Sequence, residues 1–231
     1  MKKLVLIRHG ESILNKTNSF GGWLDVDLSI KGIQEAQHAA ILLQQNNHNF
    51  DVVHTSILKR SIKSANIMLE TMNSLWVSQK SSWRLNERHY GILQGMNKKE
   101  ASIKYGEEQI KQWRRSFSQK PPQSLDGNSE SLEDVTIRVR PYWEDCIAKD
   151  INQNKQVLVV GHSNSLRALL CIIKKLSEQQ LLELNIPTAT PLVIQFNDRL
   201  QYQDEFYLGN QEQIKQKIKQ VANQGSLKQN K

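Results

Sequence analysis

Two stretches, far apart in the chain, share one plan. Residues 4–7 are an unbroken apolar run, Leu4-Val-Leu-Ile7, that stops at Arg8-His9-Gly10-Glu11-Ser12. Residues 157–160, Val157-Leu-Val-Val160, stop at Gly161-His162-Ser163-Asn164-Ser165, and a helical pattern (Leu166, Leu169, Leu170, Ile173) follows at once. Short apolar runs of this length, rich in Val, Leu and Ile, read as strands buried on both faces. Each delivers a histidine to its carboxyl end, where open α/β sheets bind ligands. A chain built on this plan is a mostly parallel sheet covered by helices.

The intervening sequence fits the same fold. Ser29 reads as an N-cap, and Ile33, Ala36, Ala40, Ile41 and Leu43 suit a helix to about Gln45. Val52 and Val53 open a second strand that ends in His54-Thr55-Ser56. Ser56 is placed to cap a helix reaching about Thr71, with Arg60 in its first turns. Repeated βα units predict crossover helices on both faces, a three-layer α/β/α arrangement. Residues 75–77 read as an edge strand and residues 83–95 as a loop dense in functional side chains. A helix is predicted over 101–117. Ser131 with Asp134 at the capping-box offset opens another. Pro141 is expected to kink or end that helix. Leu192, Ile194 and Phe196 alternate as a late strand, and residues 201–208 suit one more. One catalytic domain is expected over 1–208, followed by a basic tail over 209–231.

Charge narrows the function. The net charge is +8, but residues 210–231 hold five lysines against one glutamate, so the tail supplies half of it. In the body, the arginines stand in ones and twos. They are not interleaved with aromatics as in a nucleic-acid groove, and they suit a compact anion pocket better. The longest apolar run, residues 168–173, is far short of a membrane span, and the four apolar residues after Lys3 are too few for a signal peptide. Cys146 and Cys171 have no metal or redox spacing, which fits a reduced, cytoplasmic protein. No nucleic-acid or membrane partner is expected.

If the strands leading to His9 and His162 are neighbours, the two rings face one another. Arg8 and Arg60 then flank them, and the helix starting near Ser163 offers N–H groups. Two imidazoles, several guanidiniums and a helix N-terminus fit a phosphoryl group. No Walker loop and no metal-binding constellation is apparent, so the positive charge has to come from arginine and lysine.

Arg8-His9-Gly10-Glu11-Ser12 resembles the signature of the histidine phosphatase superfamily. Further stretches resemble its 2,3-bisphosphoglycerate-dependent phosphoglycerate mutases more closely. They are Gly22-Trp23, Thr55-Ser56 with Lys59-Arg60, Glu87-Arg88-His89-Tyr90-Gly91, Trp113-Arg114-Arg115, and His162 to Leu169. The resemblance runs from Leu4 to about Asn210. It implies a phosphoglycerate mutase-like fold and an isomerase that acts as an intramolecular phosphotransferase, in glycolysis and gluconeogenesis. It implies that His9 is the phosphohistidine nucleophile, Glu87 the proton donor and acceptor, and His162 the transition-state stabiliser, with Arg8 and Arg60. It implies that Asn15, Gly21, Gly22, Arg60, Glu87, Arg88, His89, Tyr90, Lys98, Arg114, Arg115, Ser163 and Asn164 bind substrate. It also implies a 2,3-bisphosphoglycerate primer, no metal, and a homodimer or homotetramer.

Three features depart from the pattern. Gly21 stands where the family has threonine, so one hydroxyl contact is lost. Ser163 stands where it has glycine, which costs stability if the backbone there needs φ > 0. The segment from Arg115 to Ser131 is short. These leave a phosphomonoesterase with the same chemistry as the rival reading, and a non-catalytic polyanion-binding protein as a remote one. The tail is either a solvated, mobile end or, as the resemblance implies, a segment that folds over the site. Among other residues, His38 and His48 read as surface, His54 as structural, and Arg167 as paired with a carboxylate.

Overall fold

The computed structural model describes residues 1–223. The apolar runs become the centre of one sheet. Strand β1 (Lys2–Arg8) lies between β4 (Val157–Gly161) and β5 (Leu192–Phe196); β2 (Val52–Thr55) joins β4 to β3 (Ser78–Ser81), and β6 (Tyr202–Tyr207) closes the other edge. The order is β3-β2-β4-β1-β5-β6. The first four strands in that order run parallel, while β5 pairs antiparallel with β1 and β6 antiparallel with β5. The predicted mostly parallel sheet is therefore present.

Side chains alternate across each strand and separate two cores. Leu4, Leu6, Val157 and Val159 pack on one face against α6 (Leu132–Tyr142) and α8 (Ser163–Lys174). Val5, Ile7, Leu158 and Val160 pack on the other against α2 (Ile30–Gln45) and α3 (Lys59–Thr71). Small residues Ala36, Ala39, Ala40 and Ala65 bring α2 and α3 close to the sheet and to each other. The start of α2 presses on the turn after β1. A Cβ on Gly10 would lie 2.2 Å from the Gly32 carbonyl oxygen, so only glycine fits there.

Two of the three expected caps are present. The Ser29 side chain accepts from Gly32 N–H, and Ser131 and Asp134 form a reciprocal box. Several boundaries differ from the sequence reading. The edge strand lies at 78–81, not 75–77, and all four of its residues are exposed, so no hydrophobic pattern marked it. Residues 13–16 form the short helix α1 (Ile13–Lys16) under a Ser12 capping box. The helix predicted over 101–117 is two helices, α4 (Lys98–Tyr105) and α5 (Glu107–Arg115), which turn at Gly106 with φ 88°. The chain does not end its helix at Pro141. It passes through into a π-helical turn, Trp143–Ile147, and then α7 (Ala148–Asn152). Ser56 does not cap α3, whose N-cap is Leu58 with no side-chain bond. His48 is buried rather than surface.

His54 is structural, as read: its Nε2 lies 3.0 Å from Asp150 Oδ2 and its Nδ1 2.9 Å from the Tyr142 hydroxyl. Lys80 and Lys155 also donate to Asp150, which ties β2 and β3 to α7. Beyond α9 (Glu178–Glu183) and the two late strands, residues of the tail form α10 (Gln211–Asn223), with Ile214 buried. Residues 224–231, part of the tail read as mobile, lie outside the described residues. Among the described residues, no helix is long and apolar enough to cross a membrane.

Candidate active site

The register of β1 on β4 decides the site. Ile7 pairs with Val160 and Arg8 with Gly161, so the next residues, His9 and His162, emerge side by side. His9 N–H donates to the Gly161 carbonyl at 3.0 Å. The ring centroids are 4.9 Å apart, with the planes at 59°. Both imidazoles are buried. Burial first, then Arg60 and neighbouring cations including Arg8, holds both well below the usual histidine pKa, so both rings are neutral near pH 7.

His9 Nδ1 lies 2.7 Å from the Gly10 carbonyl oxygen. A carbonyl only accepts, so Nδ1 carries the ring proton and Nε2 keeps a free lone pair. That is the form a phosphoryl acceptor needs.

Around His9 the pocket wall carries five guanidiniums and one ammonium, from Arg8, Arg60, Arg114, Arg115, Arg167 and Lys98, against the single carboxylate of Glu87. Arg60 is held by the carbonyls of Gly22 (2.7 Å) and Leu24 (2.8 Å). Arg8 is anchored on Ile186 O at 3.0 Å, and its Nε has no hydrogen-bond partner among the described residues. Burial lowers these groups: Arg60 and Arg114 to about 10, and Lys98, which Arg114 and Arg8 also oppose, to about 7. Concentrated buried cations of this kind suit a ligand with more than one anionic group.

Glu87 Oε1 accepts three N–H bonds, from Asn164 Nδ2 (2.7 Å), Asn164 N (3.2 Å) and its own neighbour Arg88 N (2.8 Å). Its backbone is held as firmly. Trp23 Nε1 donates to Glu87 O at 2.6 Å. Arg138 spans the carbonyls of Arg84, Asn86 and Glu87 and forms an ion pair with Glu130, which accepts from His89 N. Sequence reasoning missed Arg138; a buried cation one helical face from the site left no pattern to find.

Of the residues expected from the sequence, Arg8, His9, Asn15, Gly21, Gly22, Arg60, Glu87, Tyr90, Lys98, Arg114, Arg115, Ser163 and Asn164 all line one pocket. His162 adjoins the His9 ring and is fully buried, behind the residues that line the pocket. Arg88 and His89 do not line the pocket. Arg88 is stacked on Tyr90 at 4.6 Å from the ring centre and donates to Arg114 O; His89 accepts from Gly91 N–H and adjoins Gln94. Gln94 in turn accepts from Trp23 N at 2.6 Å, and a Cβ on Gly22 (φ 54°) would strike Gln94. Arg167 also lines the pocket, and it binds Leu181 O and Asn164 Oδ1 rather than a carboxylate. Ser12, Ser19, Phe20, Asn185 and Val221 complete the wall; Val221 belongs to α10, and its spacing from Ile214 and Ile218 was the visible signal.

The departures resolve in part. Ser163 is the first residue of α8 and is not among the positive-φ positions, so serine carries no backbone strain there. At Gly21 an added Cβ would meet only Arg60 Nη2, at 3.8 Å, so a larger side chain has room. Among the described residues, no group of three or more His, Cys, Asp or Glu could hold a metal ion.

The model of the histidine phosphatase superfamily (branch 1) matches residues 4–206. A 2,3-bisphosphoglycerate-dependent phosphoglycerate mutase of Bacteroides fragilis is 43% identical over 248 residues, covering 99% of this chain and all of the relative. The chain belongs to the histidine phosphatase superfamily, and to its phosphoglycerate mutase family. Relatives bearing the same mutase name occur in Hamiltonella defensa, 46% identical over 97% of this chain and 98% of its own, and in Borreliella burgdorferi, 45% over 99% and 100%. Among solved superfamily structures, a mycobacterial glucosyl-3-phosphoglycerate phosphatase superposes with TM-score 0.74 at 23% identity, covering 90% of this chain and 97% of that one. The α-ribazole phosphatase of Shigella flexneri gives 0.73 at 22%, over 90% and 96%. At such identities these two show the shared fold.

Proposed function

We propose that this protein interconverts 3-phosphoglycerate and 2-phosphoglycerate through a phosphohistidine at His9 and a 2,3-bisphosphoglycerate intermediate. The observation that carries it is the pairing of a bare His9 Nε2 with a fixed Glu87 inside one cation-lined pocket. The names of relatives at 43–46% identity over nearly the whole chain support the substrate.

The chemistry follows from the groups present. In the phosphorylated enzyme the P–N bond to His9 Nε2 breaks as the substrate 2-hydroxyl oxygen bonds to phosphorus, and Glu87 takes the hydroxyl proton. After the bisphosphate turns over in the pocket, the 3-phosphoryl group passes to His9 and Glu87 returns its proton to the leaving oxygen. Arg8, Arg60 and His162 neutralise the transferring group, which needs positioning and charge more than covalent help. Lys98, Arg114 and Arg115 hold the far phosphate or the carboxylate. A bisphosphate primer fits this wall, since Arg8 Nε is a buried donor with no partner among the described residues.

In this reading residues 1–208 are the catalytic body and α10 is a cover. Val221 lines the pocket and Ala222 O accepts from Arg115 at 3.2 Å, which supports that role. The protein works in the cytoplasm as a homodimer or homotetramer.

The test is 3-phosphoglycerate with trace bisphosphate, coupled to enolase, with and without a chelator. Turnover that persists in EDTA is expected. Phosphate release from an aryl phosphate without an enolase-coupled signal would instead establish the phosphomonoesterase. Polyanion binding that survives His9→Ala, with no enzymatic turnover, would establish the binding protein.

A further inference from the structure

His162 is neutral, so its ring has one proton to place on one of two nitrogens. Nε2 lies 2.7 Å from Ser56 Oγ, and Nδ1 is buried with no hydrogen-bond partner among the described residues. Ser56 is itself fully buried. Its oxygen already accepts from Leu58 N–H at 3.1 Å, a contact in which the amide has to be the donor.

The hydroxyl proton of Ser56 therefore needs an acceptor. Among the described residues the hydroxyl has two contacts, Leu58 N–H and His162 Nε2, and only the second can accept. The hydroxyl of neighbouring Ser61 donates to Val160 O at 2.6 Å and accepts from Ser56 N–H, so it faces the backbone of Ser56 and not its side chain. With the ring proton on Nδ1, Ser56 donates to Nε2 and one buried polar atom, Nδ1–H, is left for a ligand. With the ring proton on Nε2, Ser56 accepts twice, and both its own proton and Nδ1 are left without partners. Buried polar groups of this kind are costly to strand, so the count selects the first arrangement.

We propose that Ser56 is a positioning residue that fixes His162 as the Nδ1–H tautomer, leaving that N–H free to donate to a phosphoryl oxygen arriving at His9. The proposal rests on His9 accepting a phosphoryl group, as above. Opposite polarity in the two neighbouring rings is the consequence. At His9 the Gly10 carbonyl holds the proton on Nδ1 and bares Nε2 as an electron-pair donor. At His162 a serine hydroxyl occupies Nε2 and makes Nδ1 a hydrogen-bond donor. A nucleophile and an oxyanion partner are thus made from the same side chain by what touches the other nitrogen. The sequence reading gave Ser56 a helix cap, a duty the structure does not assign to it.

The decisive measurement is long-range proton–nitrogen correlation on protein labelled with nitrogen-15 histidine, without substrate. His162 signals are assigned by their loss in His162→Gln. Wild-type His162 is expected to carry its proton on Nδ1. In Ser56→Ala it is expected to shift to Nε2–H or to a mixture. In the enolase-coupled assay, kcat of Ser56→Ala should fall at least tenfold with KM within about twofold, and Ser56→Thr should restore tautomer and rate. A wild-type ring protonated on Nε2 overturns the proposal, as does an unchanged tautomer in Ser56→Ala whatever its rate. A changed tautomer with unchanged kcat overturns the catalytic part. If wild type shows no mutase turnover, the mutase reading fails by itself. The rate arm is then read as acid-labile phosphorylation of His9, and the tautomer result stands on its own.

Discussion

Asn164 grips Glu87 twice. Its side-chain amide and its backbone N–H both donate to Glu87 Oε1, at 2.7 and 3.2 Å, and Oε2 takes neither bond. The carboxylate proposed to transfer the proton is thereby anchored through one oxygen by a residue at the start of α8, two positions after His162. Asn164→Ala removes the shorter bond and also the Oδ1 acceptor of Arg167. We expect kcat to fall by about 10²-fold, the usual scale for a catalytic group set loose by an ångström, with the fold retained. Steady-state kinetics and circular dichroism check this; unchanged kcat would show that Asn164 does not hold Glu87 for the reaction.

His9→Ala should abolish mutase turnover without unfolding the protein. Among the described residues the side chain of His9 bonds only to the carbonyl of Gly10, its own neighbour, so its loss breaks no link between elements. Acid-labile label from radiolabelled 2,3-bisphosphoglycerate should vanish with it. Labelling that persists in the variant would place the phosphoryl group on another residue.

Lys98 gives the site a pH dependence of definite sign. Burial, aided by Arg114 and Arg8, pushes its pKa down to about 7, so it is largely neutral in the free protein above that pH. An anionic ligand favours the charged form, so binding takes up protons as pH rises above about 7, and affinity falls over the same range. In the ligand-free fold, Lys98 makes stability rise with pH between about 7 and the ordinary value of 10.5, because there the unfolded chain binds a proton that the folded one does not. Calorimetric titration with 3-phosphoglycerate in two buffers of unlike ionisation heat measures the uptake. It should disappear in Lys98→Met, and its absence in wild type would contradict the assignment.

Arg138→Met should destabilise the protein by about 3–5 kcal/mol, the scale for stranding one member of a buried ion pair. Arg138 and Glu130 are mostly buried, and Arg138 also holds three carbonyls of the segment carrying Glu87. Adding Glu130→Gln should recover part of the loss. Urea denaturation of the two variants reads both effects; equal stability of Arg138→Met and wild type would remove the clamp from the account.

Ser163→Gly should not stabilise the protein. Ser163 opens α8 without a positive φ, so glycine relieves no strain and adds flexibility to a helix start. A loss of about 1 kcal/mol or less is expected, read from the thermal midpoint. A clear gain would mean that serine is strained after all.

Much of this molecule was written locally. Apolar runs of four residues announced β1 and β4, and Ser29 and Ser131 announced the starts of α2 and α6, because caps and side-chain periodicity depend on neighbours a few positions away. The edge strand β3 escaped because its four residues are all exposed and its pairing with β2 is a matter of backbone alone. Gly106 was passed over because one glycine within a helical pattern does not declare that it will take φ 88°.

For the site, the chain by itself determined which chemical groups exist and that two histidines end two strands. The tertiary structure decided how they work. The β1–β4 register brought the rings within 4.9 Å, burial among guanidiniums made both neutral, and Gly10, Ser56, Asn164 and Arg138 set proton position and orientation. Apart from the His9–Gly10 contact, those outcomes rest on contacts between residues tens to more than a hundred positions apart, and on the loss of water around them. Neither quantity has a local signature, since both come into being only when the sheet closes and the helices pack upon it.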